Sequence, residues 1–245
     1  MRPQPARMLP PPLRILYLDD HLVAIDKPAG MIVHPGREAE GPEWIAMKRV
    51  RDALEQEVYV VHRLDRPTSG VLLFARDRAT CGQVQQFFET RKVKKTYLAA
   101  VEGGTPLQWR SDTPLRKGPE EPLLHAETGF VRLMHHAAGN FPEMPGLELS
   151  LLEASPHTGR FHQIRRHLEL AGFPIIGDFR YAGMERCTEL GKLLGTGSRM
   201  LLQAKVLEME HPWSGFPLRI EAPADEDICR CFPELAGEHL GEMVD

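Results

Sequence analysis

The sequence contains no hydrophobic run that approaches the roughly 18 apolar residues of a membrane-spanning helix. Residues 1–12 are rich in proline and have no apolar core, so they resemble neither a signal peptide nor a helix. Only four cysteines occur in 245 residues, and their spacing is unpaired. These absences argue against a membrane protein and against a disulfide scaffold, and they predict a protein of the reducing cytoplasm.

The sequence also lacks an excess of positive charge. Its formal net charge is −4, from 30 lysines and arginines and 34 aspartates and glutamates. Bulk attraction therefore does not favour a protein that coats nucleic acid. The basic residues are nevertheless clustered at 91–95 and 160–166, while acidic residues gather at 225–227 and after residue 234. This clustering allows one cleft of positive potential, although a charged run is usually a solvent-exposed face.

Short apolar segments alternate with turn residues along most of the chain. Hairpin patterns occur at 15–25 and at 201–220. Further strands are predicted at 58–61, 71–75, 96–101, 128–133 and 147–153, and helices at 44–54, 78–90, 160–170 and 225–235. Strands joined mostly by hairpins, with interspersed helices, predict an α+β fold around a mixed, largely antiparallel sheet. Residues 104–146 have many prolines and little periodicity, which predicts long connections.

A polar segment at 62–70 separates two of the predicted strands. It reads His-Arg-Leu-Asp-Arg-Pro-Thr-Ser-Gly, and its proline and glycine predict a turn or loop. Side chains alternate along an extended chain, so Arg63 and Asp65 are expected on the same face. This places one carboxylate among cations at the end of a strand. A structural ion pair that closes a hairpin is the alternative interpretation.

A second motif at 158–168 reads Thr-Gly-Arg-Phe-His-Gln-Ile-Arg-Arg-His-Leu. Its histidines and the preceding His157 recur every five residues, so a helix would spread them around its circumference. Zinc ligands at i and i+4 lie on one face instead, and the neighbouring arginines repel a divalent cation. Cys229 and Cys231 have no second ligand pair nearby, and 191–197 lacks the lysine of a P-loop. These residues therefore predict no metal or nucleotide site.

Both motifs resemble those of the RluA-type pseudouridine synthases. That family carries its catalytic aspartate in a His-Arg-Leu-Asp-x-x-Thr-Ser-Gly run, and a further motif reads Thr-Gly-Arg-x-His-Gln-Ile/Leu-Arg-x-His. Residues 27–35 resemble the family's first motif, and the similarity spans roughly residues 15–223. The resemblance implies one catalytic domain at 14–245 with a central active-site cleft. It also implies a flexible proline-rich tail at 1–13 and no N-terminal RNA-binding domain.

The resemblance implies a role for five residues. Asp65 is the catalytic residue, and Arg165 is the arginine that pairs with it. An arginine fork holds a carboxylate through two parallel hydrogen bonds, which a lysine cannot do. Arg63 takes the place that the flipped base leaves in the RNA helix, Tyr97 stacks under the uracil, and Ile164 forms an apolar wall. A core tyrosine and an exposed helix cation are the alternatives for Tyr97 and Arg165.

The implied reaction breaks the N1–C1′ bond of a uridine within RNA, turns the uracil and rejoins it through C5. The aspartate acts as a nucleophile at C1′ or as a base at the ribose, and both routes remain open. The resemblance implies that no metal and no cofactor take part. A non-catalytic RNA-binding protein of the same fold is the alternative. The combination of Asp65, Tyr97 and Arg165 argues against that alternative, because binding alone does not require it.

Two features resemble one branch of the family in particular. Arg66 and Pro67 follow the aspartate, and a Gly-x-Pro-Leu turn at 215–218 begins the second strand of the last hairpin. Both are similar to the tRNA enzyme that modifies a T-stem uridine near the acceptor stem. We therefore expect tRNA as the substrate, with ribosomal RNA, or both, as the alternative. We expect a cytoplasmic monomer that acts on no DNA and binds no membrane.

Overall fold

Short apolar stretches of the chain form the strands of one mixed sheet. The computed structural model describes residues 9–35 and 41–236, and all elements named below lie within them. The strands are β1 (Arg14–Leu18), β2 (Leu22–Lys27), β3 (Tyr59–Val60), β4 (Ser69–Ala75), β5 (Lys94–Glu102), β6 (Gln108–Ser111), β7 (Thr128–His136), β8 (Leu149–Pro156), β9 (Leu202–Glu210) and β10 (Pro217–Glu221). The α-helices are α1 (Ala46–Leu54), α2 (Arg78–Glu89), α3 (Gln163–Leu170), α4 (Met184–Leu193) and α5 (Glu226–Cys231).

The strand order along the sheet is β1-β2-β4-β9-β5-β8-β7-β6, while β3 pairs with β4 and β10 with β9. The β4–β9 pairing is parallel, and the other strand pairings in the described part of the chain are antiparallel. The predicted α+β fold with a mixed, largely antiparallel sheet is confirmed. The two predicted hairpins are also present, as β1–β2 and β9–β10.

Both faces of the sheet are buried in its N-terminal half. Along β2, Leu22 and Ala24 contact one apolar cluster, whereas Val23 and Ile25 contact another, as the alternation of a strand requires. Helix α2 covers the first cluster and α1 covers the second. Each fully buried Val, Leu or Ile contributes roughly 1.5–3 kcal/mol relative to an exposed one. These strands therefore give a well-packed base to the segment between β3 and β4.

The C-terminal half is layered in the same way. On β5, Leu98 and Ala100 pack with α4 and α5, whereas Ala99 and Val101 pack with α3. Tyr97 contacts both the cluster under α1 and the cluster under α3. This tyrosine of β5 therefore lies at the boundary between the two halves of the sheet, where β4, β9 and β5 are neighbours.

Two helices are shorter than predicted by three residues or more. The helix expected at 160–170 begins at Gln163, because His162 has a left-handed backbone conformation with φ of 53°, which a right-handed helix excludes. The helix expected at 225–235 ends at Cys231, and a 3-10 helix follows at Pro233–Ala236. Proline has no backbone N–H for the helical ladder, which accounts for the break.

One helix and one strand of the structure were not predicted from the sequence. Helix α4 contains Gly191, which lowers helix propensity. Strand β6 lies within the proline-rich 104–146 region and pairs with β7. The local sequence pattern of each element is only weakly helical or strand-like, and packing against the sheet stabilises both.

Residues 1–8 of the predicted flexible tail lie outside the described residues. Near the start of the described residues, Arg49 Nη1 donates to the Pro11 carbonyl at 2.9 Å, and Leu13 packs against the cluster under α1. Among the described helices, none is both long and apolar enough to cross a bilayer.

Candidate active site

A cleft of about 660 Å³ lies between the segment that follows β3 and the segment that precedes α3. Residues 61–65 and the start of β5 form one side, and residues 156–165 form the other. All five residues predicted for the site line this cleft: Arg63, Asp65, Tyr97, Ile164 and Arg165. Side chains that are far apart in the sequence therefore meet in one place.

The segment that carries Asp65, called here the Asp65 loop (residues 61–68), is held by hydrogen bonds to the surrounding strands. His62 Nε2 accepts a hydrogen bond from the Leu73 N–H at 2.9 Å. Burial lowers the pKa of His62 to about 3, so the ring stays neutral and keeps this nitrogen as an acceptor. Arg199 Nη1 donates to the Pro67 carbonyl at 2.8 Å. The loop is therefore fixed on both sides of Asp65.

Lys27, at the end of β2, holds the same loop through its ammonium group. Its side chain is fully buried, and Nζ donates to the carbonyls of Pro28 (2.9 Å), Met31 (2.8 Å) and Arg66 (3.2 Å). The Gly30 N–H donates to the same Arg66 carbonyl at 2.8 Å. The turn after β2 and the Asp65 loop therefore fix each other, which explains why the lysine and the glycine of the first motif occur together.

Gly70 closes the Asp65 motif because two strands approach closely there. Its φ is +103°, and a Cβ at this position would overlap the carbonyl oxygen of Ala204. Glycine alone adopts this conformation without strain. The parallel contact between β4 and β9 depends on it, since Gly70 and Ala204 are paired.

Arg165 contacts two carboxylates. Its Nη1 donates to Asp65 Oδ2 at 3.1 Å, while Nε and Nη2 donate to Asp178 Oδ2 and Oδ1 at 2.7 and 2.8 Å. The two parallel bonds predicted for Asp65 thus go to Asp178, and Asp65 receives a single bond. Arg165 is also only 6% exposed, so the alternative interpretation of Arg165 as an exposed helix cation is wrong.

Asp178 corrects the expectation of a single carboxylate in a cationic cluster. Its side chain is 1% exposed, and it follows Gly177, whose φ is +76°. A Cβ on Gly177 would overlap the carbonyl oxygen of Arg199, so only glycine permits this tight turn. The turn directs Asp178 towards α3, where it neutralises the buried guanidinium of Arg165.

His162 lies beside Asp65 and in contact with an aromatic pair. Its Nε2 is 3.7 Å from Asp65 Oδ2, and its Nδ1 is 2.9 Å from the Tyr181 hydroxyl. Burial lowers the pKa of His162 to about 4, against the opposite effect of the Asp65 charge. The ring of Phe161 stacks on His162, and the guanidinium of Arg165 lies 5.1 Å from the centre of the Tyr181 ring. A neutral histidine thus packs against the carboxylate.

The remaining polar residues of the second motif hold the segment before α3 in place. Gln163 Oε1 accepts from the Thr158 hydroxyl at 2.6 Å, and its Nε2 donates to the Glu127 carbonyl at 2.8 Å and to the Thr128 hydroxyl at 2.9 Å. His167 Nδ1 lies 2.9 Å from the same Thr128 hydroxyl. The motif therefore combines residues that face the cleft with residues that anchor it to β7.

The three histidines considered as metal ligands have separate surroundings. His157 is exposed, His162 contacts Tyr181, and His167 is buried against Thr128. Within residues 9–35 and 41–236, no group of three histidine, cysteine or acidic side chains has the geometry of a metal site.

Tyr97 and Ile164 line the cleft near Asp65. Tyr97 is partly buried, and its pKa is raised well above the usual range, first by burial and then by the Asp65 charge. The phenol therefore stays protonated at neutral pH. Ile164 is 7% exposed and packs in the cluster under α3.

Exposed cations lie at the mouth of the cleft. Arg63 and Arg91 line it and are exposed, and their guanidinium groups form no hydrogen bond or ion pair with any described residue. Arg160, on the opposite side, donates from Nε to the His125 carbonyl at 3.0 Å. The positive potential expected from the clustered basic residues is thus available at this cleft, although the net charge of the chain is −4.

The sequence reasoning missed three residues that contact the site. Asp178 ends a segment, 174–178, over which the similarity to the second motif continues, but it was given no role. Tyr181 was not singled out, and His162 appeared only as a possible metal ligand. A signal existed for Asp178, since Gly177 and Asp178 directly follow an apolar pair in the connection between α3 and α4. A glycine next to a carboxylate is typical of a turn that presents a functional group.

Comparison with known proteins identifies the family. Residues 21–170 match the family of RNA pseudouridylate synthases. This chain belongs to that family. The matched range contains the Asp65 loop, Tyr97 and Arg165, so the residues of the cleft named here lie within the part of the chain that matches the family. The enzyme is therefore an RNA pseudouridine synthase of the RluA type.

Individual relatives of this synthase cover most of its chain. The tRNA pseudouridine synthase C of Haemophilus ducreyi is 35% identical over 94% of this chain and 98% of its own length. The ribosomal large subunit pseudouridine synthase C of Escherichia coli is 37% identical over 90% of this chain and 69% of its own length. The structure of human RNA pseudouridylate synthase domain containing 4 superimposes with a TM-score of 0.68 at 25% identity, covering 91% of this chain and 93% of that one.

Proposed function

We propose that this synthase isomerises a specific uridine of tRNA to pseudouridine, with Asp65 as the catalytic residue and without a cofactor. The observation that carries the proposal is the environment of the Asp65 carboxylate. Its Oδ2 accepts from Arg165 at 3.1 Å, whereas no described residue donates to Oδ1. This leaves one carboxylate oxygen available to a substrate in the cleft.

The roles of the surrounding residues follow from their positions. Asp65 attacks C1′ or removes a ribose proton, and both routes start from the available oxygen. Arg165 fixes the direction of the carboxylate, while Tyr97 and Ile164 enclose the uracil and keep it in the cleft after the N1–C1′ bond breaks. Arg63, exposed at the mouth, takes the place of the flipped nucleotide.

The tRNA target is supported by several relatives that are named for tRNA. Those of Haemophilus ducreyi and Haemophilus influenzae match this chain over 98% and 100% of their own length, whereas that of Pectobacterium carotovorum matches over 59% and the ribosomal RNA enzyme of Escherichia coli over 69%. The predicted features at Arg66, Pro67 and 215–218 favour the same branch. Ribosomal RNA is the second candidate, because identity to the ribosomal enzyme is 37%.

The test compares two RNAs labelled with [5-³H]uridine. Wild-type protein is incubated with unmodified tRNA transcripts and with fragments of large-subunit ribosomal RNA, and tritium release is followed. We expect one mole of tritium per mole of tRNA and a single pseudouridine in the T stem on mapping. Release from ribosomal fragments alone would reject the tRNA target, and release from neither RNA would reject both substrate assignments.

We also propose a monomer in a reducing, cytoplasmic compartment. All four cysteines are free thiols, which suits such a compartment. Light scattering of the purified chain at the concentrations used for activity tests the monomer, and a mass twice that of the chain would reject it.

A further inference from the structure

Lys95 differs from the other buried or partly buried cations named above. Lys95 and Tyr97 lie two residues apart on β5, so their side chains share a face, and both line the cleft together with Val93, which directly precedes the strand. Lys95 is partly buried, and burial lowers its pKa, with no charged group among the causes. Its ammonium group forms no hydrogen bond or ion pair with any residue in the described ranges.

Buried cations elsewhere in the chain have partners. Arg165 contacts Asp178, Arg199 contacts Asp225, and Lys205 contacts Glu221. Lys27 has no carboxylate but donates to three carbonyls. A desolvated cation without a partner costs free energy. An unpaired cation in a cleft therefore suggests an anionic partner on a bound ligand.

The surroundings of Lys95 point to an anion from the substrate. After burial, the positive charge of Lys95 is the second cause that lowers the pKa of His62. The His62 ring stacks on Phe88 at a centroid distance of 4.9 Å, and both rings line the cleft. Glu89 also lines the cleft but makes no ion pair with Lys95 within the residues described here. Lys95 therefore lies in the cleft near the rings of His62 and Phe88 and has no anionic partner among the described residues.

Resting on the proposed function, we propose that Lys95 binds a backbone phosphate of the RNA beside the target uridine. Lys95 is two residues from Tyr97, which corresponds to about 7 Å along a strand. The distance between a nucleobase and the phosphate of its own nucleotide is of the same order. A uracil held at Tyr97 therefore brings a phosphate to Lys95, with exposed Arg63 and Arg91 available to the neighbouring phosphates.

The experiment measures RNA affinity as a function of salt for Lys95→Gln. The probe is the unmodified transcript that the wild-type protein modifies. Removing one phosphate contact should lower the slope of log Kd against log salt by about 0.7 to 0.9. We expect Kd to rise by about fivefold to tenfold at 0.1 M salt, and the loss to appear in KM while kcat stays within threefold. Lys95→Arg should restore most of the slope.

Lys92→Gln is the matched control. Lys92 is exposed, its Nζ lies 5.5 Å from the centre of the Phe87 ring, and it does not line the cleft. We expect its salt slope to match wild type. An unchanged slope in Lys95→Gln would overturn the proposal, and so would an equal loss in both variants, which indicates diffuse attraction instead of a site.

The melting temperature separates binding from folding. Lys95→Gln removes an unpaired buried charge, so its melting temperature should not fall below that of wild type. A lower melting temperature together with a lower kcat and an unchanged slope would assign Lys95 a structural role and reject the phosphate site. Failure of the proposed function is distinguishable, because it appears in the wild-type protein as an absence of turnover on either RNA.

Discussion

Arg165 and Asp178 form a two-bond ion pair inside the protein, with distances of 2.7 and 2.8 Å. The remaining Nη1 of Arg165 reaches Asp65 at 3.1 Å. A planar guanidinium whose two other nitrogens are fixed in this way has little freedom to rotate. Asp178 therefore sets the direction in which Arg165 donates to Asp65, and it neutralises a guanidinium that would otherwise be buried without compensation.

The first prediction is that Asp178→Asn lowers kcat by at least tenfold with little change in RNA affinity. Asparagine keeps the shape but loses the charge, so the guanidinium of Arg165 shifts and the orientation of Asp65 changes. A displacement of about 1 Å near the reacting atoms can cost on the order of a hundredfold in rate. Single-turnover rates at saturating enzyme measure the effect.

Glu102→Gln is the control for this variant. Glu102 pairs with Arg186 and does not line the cleft, so its loss tests ion-pair removal in general. We expect its rate to stay close to wild type. In the double variant with Arg165→Lys, Asp178→Asn should cost little more, because both changes act through one contact. Additive losses would show that Asp178 acts independently of Arg165.

The second prediction concerns Arg165→Lys, which keeps the charge and loses the fork. A lysine cannot donate to Asp178 through two parallel bonds and to Asp65 as well, so kcat should fall at least tenfold. RNA affinity and its salt dependence should remain nearly unchanged. Arg166→Lys is the control, since Arg166 donates from Nη1 to the Arg116 carbonyl in an exposed position. Single-turnover rates equal to wild type for Arg165→Lys would reject the positioning role.

Strand alternation and turn residues predicted the sheet, because both are local signals, while the resemblance of the two motifs to a known family pointed to the five residues that line the cleft. The sequence did not predict the contact between Arg165 and Asp178. That contact depends on the left-handed turn at Gly177 and on the carbonyl of Arg199, which crosses it at close range. Such a contact is set by tertiary packing, and no periodicity of either segment encodes it.

Buried lysines were equally inaccessible to sequence reasoning. Lysine is almost never fully buried unless it is paired, and nothing in the motif at 27–35 indicated that Lys27 is buried. In the structure three carbonyls surround its Nζ. Lys95 appeared only as part of a basic run, and its position in the cleft follows from the register of β5 against β9.

The third prediction is that Asp65→Asn abolishes isomerisation while RNA binding survives. The substitution keeps the size of the side chain and removes the carboxylate that both chemical routes require. Tritium release from labelled tRNA should fall by more than a thousandfold, in line with the loss of an essential nucleophile or base, whereas Kd for the same RNA should change less than threefold. A variant that turns over within tenfold of wild type would show that another group performs the chemistry.

The fourth prediction is that the enzyme needs neither a metal nor an added cofactor. The residues that line the cleft supply the available oxygen of Asp65, cations and apolar walls, and the proposed reaction uses only these. Activity on a folded tRNA should be unchanged after dialysis against EDTA. Magnesium also acts on RNA folding, so the RNA is refolded in magnesium and its structure is checked after chelation. Activity restored specifically by a transition metal would contradict the prediction.

The fifth prediction follows from the ionisation of Lys27. Burial lowers the pKa of Lys27 from 10.5 to about 7 in the folded protein. Between these two values the unfolded chain binds a proton that the folded protein has released. The free energy of unfolding therefore rises with pH in this window, by up to about 1.4 kcal/mol per pH unit. Below pH 7 both states carry the proton, and this contribution is constant.

Lys27→Met has no such group, so the difference in unfolding free energy between wild type and variant should grow in favour of wild type from pH 7 to pH 9. Urea denaturation at pH 6, 7, 8 and 9 measures it. Parallel pH profiles for the two proteins would show that Lys27 stays charged throughout, held by its three carbonyl acceptors.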